Sequence, residues 1–528
     1  MPPTQQAGSD STTDASARAQ EGPPPARHDR VGSWRRSRTT VALAWTIFAA
    51  LGGLLWTTQF EPRAYVVAPW VALVPLLLLL PSPRPWLLGF VHGFAYWLAS
   101  IPWIASTLEI YGQLPAWLSW ALLGLLASYL GLFTAAFAGL GARLWRRGGW
   151  VAVLGLPALW VVLELLRGWI ASGFPWNIAA YAWVEVPGAL PLSSWVGPWG
   201  ISYLVVLANL GVALAVAARR PRLGAIAVLV LLVLLPLAGR FAHGHARPGA
   251  PQAVRLLQPN IANLVQYEPR ATLLNYARVV SMSEGACDLP GALVVWPESA
   301  GWPFDYPEDA NFRDDLRRLA ARGCPLLFNT AFRVDKQWRN AAFLLGPDLR
   351  EQRADKRHLV PFGEYVPAKA LFPFLDSLAR NAGDFTAASE LRLLDWGRER
   401  LAVAICFEVI FPGEVAEVVR DGATVLVTIT NDAWYGDTSA PWQHFRAVRF
   451  RAAEERRPLV RAAITGISAM VRADGSVASQ LGPFAQGVLR GSVVGGTGLS
   501  PYARRPWLGP ALAWVLAIGT LALTRRRR

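Results

Sequence analysis

The sequence predicts a polytopic α-helical membrane bundle joined to a layered α/β domain, and two features carry this prediction: the composition and the distribution of charges. The 528-residue chain is 53% hydrophobic and 16% charged, whereas soluble domains are about 45–50% apolar and about 25% charged. Residues 40–240 are almost free of charged side chains, while residues 250–490 have the composition of a soluble domain. We therefore expect a membrane part followed by a globular part.

The membrane part is predicted from apolar stretches that approach the roughly 20 residues needed to cross a bilayer as a helix. The predicted spans are 40–56, 66–81, 86–106, 116–141, 150–170, 196–217, 223–239 and 507–524. The segment before them is too polar to bury a core. The predicted domains are a disordered cytoplasmic tail (1–38), a membrane domain of about seven helices (39–245), an α/β domain (250–495) and a closing transmembrane helix with an Arg-rich end (505–528).

Arginines in alternate loops predict the orientation of the bundle. They stand before the first span and in every second loop after it: Arg35, Arg36, Arg38, Arg84, Arg143, Arg146, Arg147, Arg219, Arg220, Arg222 and residues 525–528. The opposite loops are poor in basic residues, since 57–65 contains only Arg63 and 107–115 contains none. Because cytoplasmic loops carry the excess of Lys and Arg, we expect both termini to be cytoplasmic and the α/β domain to be extracytoplasmic. The same clusters account for the net charge of +15, so nucleic acid is not an expected partner.

The globular part alternates between short β-rich runs and helical stretches, a pattern typical of a layered α/β domain. The predicted strands are 253–257, 292–296, 325–330, 341–345, 401–405 and 424–430. The predicted helices are 268–283, 308–322, 412–420 and 441–456.

Three residues in this part have side chains suited to acyl-transfer chemistry. Glu298 ends the apolar run 293–298, Cys406 ends the run 401–406, and Lys356 lies in the charged segment 353–358. A carboxylate can take a proton from a thiol, the thiol can attack an acyl carbon, and a cation can stabilise the resulting oxyanion without a metal. Each residue alone has a common structural explanation, so the prediction rests on all three together.

The number of cysteines limits which disulfide bonds and metal sites the chain can form. Three cysteines are too few for a disulfide framework and too scattered for a zinc site, so no metal is expected. A bridge between Cys287 and Cys324 is possible, but their spacing does not decide it; Cys406 would then be the odd thiol.

One charged pair falls inside a predicted span. Glu164 and Arg167 are three residues apart and share a helical face. Charged residues at membrane depth are often functional. A structural pair near the outer interface is the simpler interpretation and the one we favour.

The motifs in the globular part resemble the catalytic blocks of apolipoprotein N-acyltransferases. The matching segments are Trp296-Pro297-Glu298, the long block 356–367 and Ile405-Cys406-Phe407-Glu408. Segments 431–436, 465–469 and 160–176 are similar to further parts of the family, and the likeness runs in the same order over residues 40–525. The resemblance implies an αββα sandwich of the nitrilase type attached to the membrane bundle.

The resemblance also implies residue roles. Glu298 would be the general base, Lys356 the oxyanion-stabilising cation and Cys406 the nucleophile. Glu364 and Glu408 match supporting acidic residues. We also expect Lys356 to lower the pKa of the Cys406 thiol.

Substrate contacts are implied for Tyr267, Phe407 and Trp434. The chain departs from the family pattern twice, with Phe407 where Tyr is common and Ile464 where Asn is usual. We expect both changes to alter substrate fit or rate and to leave the triad intact.

By family analogy, the acyl donor is a membrane phospholipid and the acceptor is the N-terminal diacylglyceryl-cysteine of an apolipoprotein. The reaction would proceed through a thioester on Cys406, without a cofactor, at the outer face of the inner membrane. One alternative is a membrane-anchored nitrilase-type amidase, which would share the triad. A transporter or receptor is a second alternative, but its internal repeats are not evident here.

Overall fold

The computed structural model describes residues 28–60, 67–241, 250–262, 268–367 and 384–525. The chain divides into one unit of residues 1–45 and a second of residues 46–528. In its described part, the first unit consists of the beginning of the helix His28–Thr57. The greater part of the predicted tail, the predicted substrate contact Tyr267 and the last three arginines lie outside the described residues.

Within the described part of the chain, five helices are long and apolar enough to cross a membrane. They are Thr40–Thr57, Ala116–Arg147, Gly149–Arg167, Ala189–Ala217 and Leu508–Arg525. A sixth crossing results if the bent pair Pro85–Ser100 and Trp103–Ile110, which meet at 51°, forms one span. These helices agree with the predicted membrane bundle.

Two of the eight predicted spans, 66–81 and 223–239, have no counterpart among the helices of spanning length found in the described residues. The stretch 66–81 forms two short helices, Ala68–Val71 and Val74–Leu79, each with a proline in its first turn. Because proline has no N–H to donate, it starts a new helix more readily than it continues an old one. The stretch 223–239 lies in the helix Pro221–Phe241, whose described apolar part, Val228–Arg240, is shorter than a membrane span.

The predicted span 196–217 starts next to a kink within a longer helix. The helix Ala189–Ala217 is interrupted at Gly197, which has φ 67°, and Pro198 follows it. Glycine adopts this left-handed conformation without a Cβ clash, and proline removes one helical hydrogen bond. The sequence places the start of the span at 196, although the helix begins at Ala189, about two turns earlier.

The globular part contains two six-stranded mixed sheets. The strands are β1 (Gln252–Gln258), β2 (Leu293–Val295), β3 (Leu326–Val334), β4 (Gln337–Leu345), β5 (Glu351–Asp355), β6 (Leu394–Trp396), β7 (Glu399–Ile405), β8 (Val425–Thr430), β9 (Leu459–Ala463), β10 (Ser468–Val471), β11 (Val477–Leu481) and β12 (Gly487–Val493). Their orders are β12-β1-β2-β3-β4-β5 and β11-β10-β9-β8-β7-β6. In each sheet three neighbouring strands are parallel, β1-β2-β3 and β7-β8-β9, and the outer pairs are antiparallel.

The two sheets pack face to face with helices outside, which confirms the predicted αββα sandwich. Apolar side chains of both sheets form one core between them. The helices Pro269–Ala286 and Ala310–Ala320 pack on the first sheet. The helices Pro412–Arg420 and Ala440–Glu455 pack on the second. All six predicted strands and all four predicted helices are present.

Six strands were not predicted, namely β5, β6 and β9 to β12. They are short or carry polar and charged residues, as in the five-residue Glu351–Asp355. Cross-strand partners hold such segments in a sheet, so the local pattern gives little signal.

A disulfide bond joins Cys287, which directly follows the helix Pro269–Ala286, to Cys324. This bond resolves the alternative that the spacing left open. Cys406 is the free cysteine.

The second sheet faces the membrane bundle through the helix Ala440–Glu455. The Trp176 indole N–H donates to Gln443 at 2.7 Å, and Arg446 donates to the Tyr181 carbonyl at 3.2 Å. Apolar residues from the membrane helices and from this helix layer belong to one continuous core. The sandwich is therefore packed on the bundle rather than tethered beside it.

Candidate active site

The ends of three strands bring the predicted triad together inside the sandwich. Glu298 follows β2, Lys356 follows β5 and Cys406 follows β7. The first two belong to one sheet and Cys406 to the other. All three are buried, with relative exposures of 7%, 2% and 7%. The site thus lies where the two sheets share an end.

The carboxylates form a hydrogen-bonded cluster around the Lys356 ammonium. Its Nζ lies 2.8 Å from Glu364 Oε1 and 3.4 Å from Glu298 Oε1. Asn340 donates from Nδ2 to the same two oxygens, at 2.9 and 3.2 Å. Two anions and one cation are therefore held at fixed geometry in a dry site, where such interactions are strong.

The second oxygen of each carboxylate is also occupied. The Asn431 backbone N–H donates to Glu298 Oε2 at 3.1 Å, and the Val360 N–H donates to Glu364 Oε2 at 2.9 Å. Glu298 is thereby oriented from both sheets.

Cys406 has an unusual backbone conformation, with φ 56°. Such left-handed conformations of non-glycine residues persist only where the surroundings hold them, and they cluster at functional sites. Here His444 Nε2 lies 3.2 Å from the Cys406 carbonyl oxygen, and the Thr430 hydroxyl lies 3.3 Å from Sγ. The turn directs the sulfur inward at the strand end.

The surroundings of Lys356 change the pKa of its ammonium group. Burial alone lowers the pKa of Lys356, but the charges of Glu364, Glu298 and Cys406 outweigh it and raise that pKa above its usual value. Lys356 therefore stays protonated near neutral pH.

The predicted lowering of the Cys406 pKa is wrong in its net direction. Lys356 does lower it, but burial, together with the negative charge of Glu298, raises the pKa of the thiol above its usual value. The resting residue is a neutral thiol. An acceptor for its proton is consequently required at the moment of attack, and Glu298 is the carboxylate whose charge acts most strongly on the thiol, ahead of Asp432.

Glu408 supports the backbone around the site. Its Oε1 accepts from the Arg357 N–H at 2.7 Å and the His358 N–H at 3.1 Å, and its Oε2 accepts from the Ile405 N–H at 2.7 Å. These bonds connect the residues flanking Lys356 with the residue preceding Cys406. Burial raises the pKa of Glu408.

Two of the predicted substrate contacts, Trp434 and Phe407, lie within the described residues and differ in their exposure to solvent. Trp434 is 37% exposed, and its carbonyl accepts from the Thr107 hydroxyl of the membrane helix Trp103–Ile110 at 2.9 Å. Phe407 is buried and packs between Phe411 and His358. A substrate contact for either side chain stays a prediction, as does one for Tyr267, which lies outside the described residues.

The departure at Ile464 lies beside the site. Its N–H donates to the Thr430 carbonyl at 3.2 Å, and its carbonyl accepts from the Asn260 N–H at 2.8 Å. Its side chain is fully buried, and an effect of this departure on substrate fit or rate stays a prediction.

Glu164 and Arg167 organise the membrane-domain loop that contacts the site. Glu164 accepts from the Ala179 N–H at 2.6 Å, and Arg167 donates to the carbonyls of Phe174 and Trp176 at 2.6 and 2.7 Å. The Trp176 ring in turn lies 5.6 Å from the ring of His444. These contacts favour the structural interpretation of the pair.

Sequence reasoning missed Asn340, Thr430, Asp432 and His444. Thr430 and Asp432 carry the same signal as Cys406, because they stand at the end of the predicted strand 424–430. Asn340 lies within a strand and His444 within a helix, where nothing in the local pattern marks them.

Comparison with family models gives two matches. Residues 52–211 match the "Apolipoprotein N-acyltransferase N-terminal domain", and residues 255–496 match "Carbon-nitrogen hydrolase". The boundary between them falls between the membrane bundle and the sandwich.

Similar proteins span nearly the whole chain. An apolipoprotein N-acyltransferase of Geobacter metallireducens is 36% identical over 91% of this chain and 95% of its own length. One of Ralstonia nicotianae is 35% identical over 91% of this chain and 93% of its own. Among solved structures, a CN-hydrolase superfamily protein from Xanthomonas campestris covers 50% of this chain and 97% of its own, with a TM-score of 0.36 at 17% identity.

Proposed function

The chain belongs to the apolipoprotein N-acyltransferase family, and on that premise we propose how its site acylates lipoproteins. The enzyme is a membrane acyltransferase. The proposed donor is a phospholipid, and the proposed acceptor is the α-amine of the N-terminal diacylglyceryl-cysteine of an apolipoprotein. The observation that carries the proposal is the buried cluster of Glu298, Lys356 and Cys406, on a sandwich packed against a membrane bundle.

In the first step, Cys406 Sγ attacks the ester carbon of the donor while its proton passes to Glu298. A sulfur–carbon bond forms, and the Lys356 ammonium stabilises the oxyanion. The ester carbon–oxygen bond then breaks, and the leaving alkoxide takes the proton from Glu298. A lysophospholipid departs and a thioester remains on Cys406.

In the second step, the acceptor amine attacks the thioester carbon. Glu298 takes a proton from the amine, the new nitrogen–carbon bond forms, and the sulfur–carbon bond breaks. The sulfur regains a proton from Glu298, which returns the site to its starting state. Splitting one acyl transfer into two covalent steps lowers each barrier.

Glu364 and Glu408 are proposed as positioning residues. Glu364 holds Lys356 at 2.8 Å, so its loss would leave the ammonium free to move away from the oxyanion. Glu408 ties the backbone beside Lys356 to the backbone beside Cys406. Neither side chain is required to exchange a proton with substrate.

The proposed orientation places the sandwich outside the cytoplasm, with both termini inside. The helix Ala116–Arg147 has 32 residues and ends in Arg146 and Arg147, so its two ends are about 48 Å apart. Just before its other end, Tyr111 donates to the Ala433 carbonyl of the sandwich at 3.1 Å. The basic loop and the sandwich are therefore at opposite ends of this helix, as positive-inside orientation requires.

Mass spectrometry of the intact protein tests the chemistry. Detergent-solubilised protein is incubated with phospholipid alone, and an acyl adduct on Cys406 that hydroxylamine removes is expected, with release of lysophospholipid. Cys406→Ala is expected to form no adduct while still inserting into the membrane. Addition of a diacylglyceryl peptide should discharge the adduct as an amide. A protein that forms no adduct with several lipids but hydrolyses small amides would establish the amidase alternative instead.

Cysteine labelling tests the orientation. Asp314→Cys in the exposed face of the sandwich and Arg147→Cys in the basic loop are each placed in a Cys406→Ala background. A membrane-impermeant maleimide applied to intact inner-membrane spheroplasts should label the first variant and spare the second. The reverse pattern would overturn the proposed orientation.

A further inference from the structure

Thr430 stands beside the sulfur of the nucleophile and is not part of the triad. It is the last residue of β8, the parallel neighbour of the strand that ends before Cys406. Its side chain is fully buried. Its hydroxyl lies 3.3 Å from Cys406 Sγ and 2.9 Å from Asp432 Oδ1.

The hydroxyl has one proton and two acceptors within reach. A threonine O–H donates a single hydrogen bond at a time, so Thr430 donates either to the carboxylate or to the sulfur. While Cys406 is a neutral thiol, its sulfur is a weak acceptor and the carboxylate is the stronger one. When the sulfur becomes a thiolate, it becomes a charged acceptor as well.

Asp432 can lose the hydrogen bond from Thr430 at little cost in free energy. Burial alone raises its pKa, but the positive charge of Arg461, with the hydrogen bond from Thr430, outweighs burial and holds the pKa below its usual value. Arg461 donates to Asp432 Oδ2 at 2.7 Å. Gly466 packs against the same carboxylate, where a Cβ would overlap it. Because Arg461 already neutralises the carboxylate, the loss of one neutral donor costs Asp432 little.

The tautomer of His444 follows from its neighbours. His444 Nδ1 lies 3.2 Å from the Arg461 guanidinium, which has no acceptor atom, and 3.4 Å from Asp432 Oδ1. On the other side of the ring, the Cys406 carbonyl oxygen lies 3.2 Å from Nε2 and can only accept, so Nε2 carries a proton and donates it. Burial and Arg461 lower the pKa of His444, which agrees with a neutral ring. His444 thus fixes the backbone of the nucleophile while Thr430 faces its sulfur.

We propose that Thr430 is a catalytic residue that stabilises the Cys406 thiolate, its hydroxyl turning from Asp432 to Sγ as negative charge develops. The proposal rests on Cys406 being the nucleophile of the proposed function. No bond to Thr430 forms or breaks, and its proton stays on Oγ1. The thiol proton goes to Glu298, as in the two steps above.

The sulfur is surrounded by other charged and titratable groups, and all are left unchanged in the test. They are Glu298, Lys356, Asp432 and Tyr435, with Glu364 beyond Lys356 and with Arg461 and His444 beyond Asp432. A change in the behaviour of the thiol on substitution of Thr430 alone therefore reports the hydroxyl.

The rate at which iodoacetamide alkylates Cys406, measured against pH on the solubilised full chain, tests the proposal. All three cysteines are among the described residues, and Cys287 and Cys324 are bonded to each other, so alkylation reports Cys406. Thr430→Val removes the hydroxyl at nearly constant shape. We expect alkylation at neutral pH to fall about 10-fold and the pH midpoint to rise by about one unit. Thr430→Ser should retain the wild-type profile.

Thr428→Val is the matched control. Thr428 lies on the same strand and the same face as Thr430, because side chains alternate along a strand. It is fully buried, and within the described part of the chain its hydroxyl has no hydrogen-bond partner. Its substitution should leave the alkylation profile unchanged.

The outcomes separate this inference from the proposed function. The role of Thr430 would be overturned if Cys406 in Thr430→Val were alkylated at the wild-type rate. This holds provided that the variant unfolds at the same temperature as the wild type. Loss of reactivity in Thr430→Ser as well as in Thr430→Val would also overturn it, because packing would then explain both. A wild-type protein that is alkylated normally but takes no acyl chain from phospholipid would instead overturn the proposed function.

Discussion

The helices Ala310–Ala320 and Ala440–Glu455 both lie on the outside of a sheet, and both are rich in charged residues. The first presents its charges to water, as Asp314 and Arg318 are exposed. The second has 14 of its 16 residues buried, including Arg451, Glu454 and Glu455. The difference comes from what covers each helix, since the second lies between a sheet and the membrane bundle.

The buried helix is stabilised by specific partners rather than by solvent. Arg451 pairs with Glu454 at 2.8 Å, and Gln443 donates to the Ser100 carbonyl at 2.9 Å. A polar group removed from water without such a partner costs several kcal/mol. The number of charged residues in a helix therefore does not predict whether the helix is exposed to solvent, because a second domain can cover it.

The largest effect is expected from Arg451→Met. It leaves Glu454 as a buried carboxylate without its cation, and loss of one partner of a buried pair costs about 3–5 kcal/mol. The thermal unfolding midpoint of the solubilised protein, followed by tryptophan fluorescence, should fall strongly. Arg318→Met on the exposed helix is the matched control. It removes a surface pair with Asp315 and should cost less than about 1 kcal/mol. Equal shifts for both variants would erase the proposed contrast between the helices.

A pH-dependent effect on the same buried helix is expected from Glu455. Burial, together with the neighbouring Glu454, raises the pKa of Glu455 to about 8. A carboxyl whose pKa is higher in the folded state binds more protons there, so stability falls as pH rises between the unfolded and folded pKa values. The loss from this group should reach at most about 1.4 kcal/mol per pH unit, mainly between about pH 4.5 and 8.

Unfolding midpoints of wild type and Glu455→Gln across this range check the pH effect. Glu455→Gln should show a shallower fall with rising pH. Asp314→Asn, on the exposed helix, should leave the shape of the wild-type curve unchanged. Parallel curves for wild type and Glu455→Gln would contradict the expected titration.

The smallest effect is expected from Gln443→Leu. It leaves the Trp176 indole N–H, now 2.7 Å from Gln443 Oε1, without its acceptor, which costs about 1–3 kcal/mol. Adding Trp176→Phe removes the orphaned donor, so the double variant should lose less stability than the sum of the two single variants. Strict additivity in unfolding midpoints would show that this bond does not hold the two domains together.

The sequence alone determined the membrane part and the α/β class, and it predicted the three residues that we propose as the triad. Those features have local signals: the length of apolar runs, the alternation of elements and the position of Glu298 and Cys406 after apolar strands. The resemblance added Glu364 and Glu408, whose contacts with Lys356 and with the adjoining backbone the structure displays.

Only the tertiary structure decided the features that depend on distant segments. It paired Cys287 with Cys324, placed Asn340 and Asn431 on Glu298, and buried the Cys406 thiol so that its pKa rises. It also divided the predicted span 66–81 into two short helices and added six strands that lack a local pattern. The physical reason is common to all of these. Burial, desolvation and cross-strand pairing are set by neighbours remote in the chain, whereas periodicity and composition are properties of a single segment.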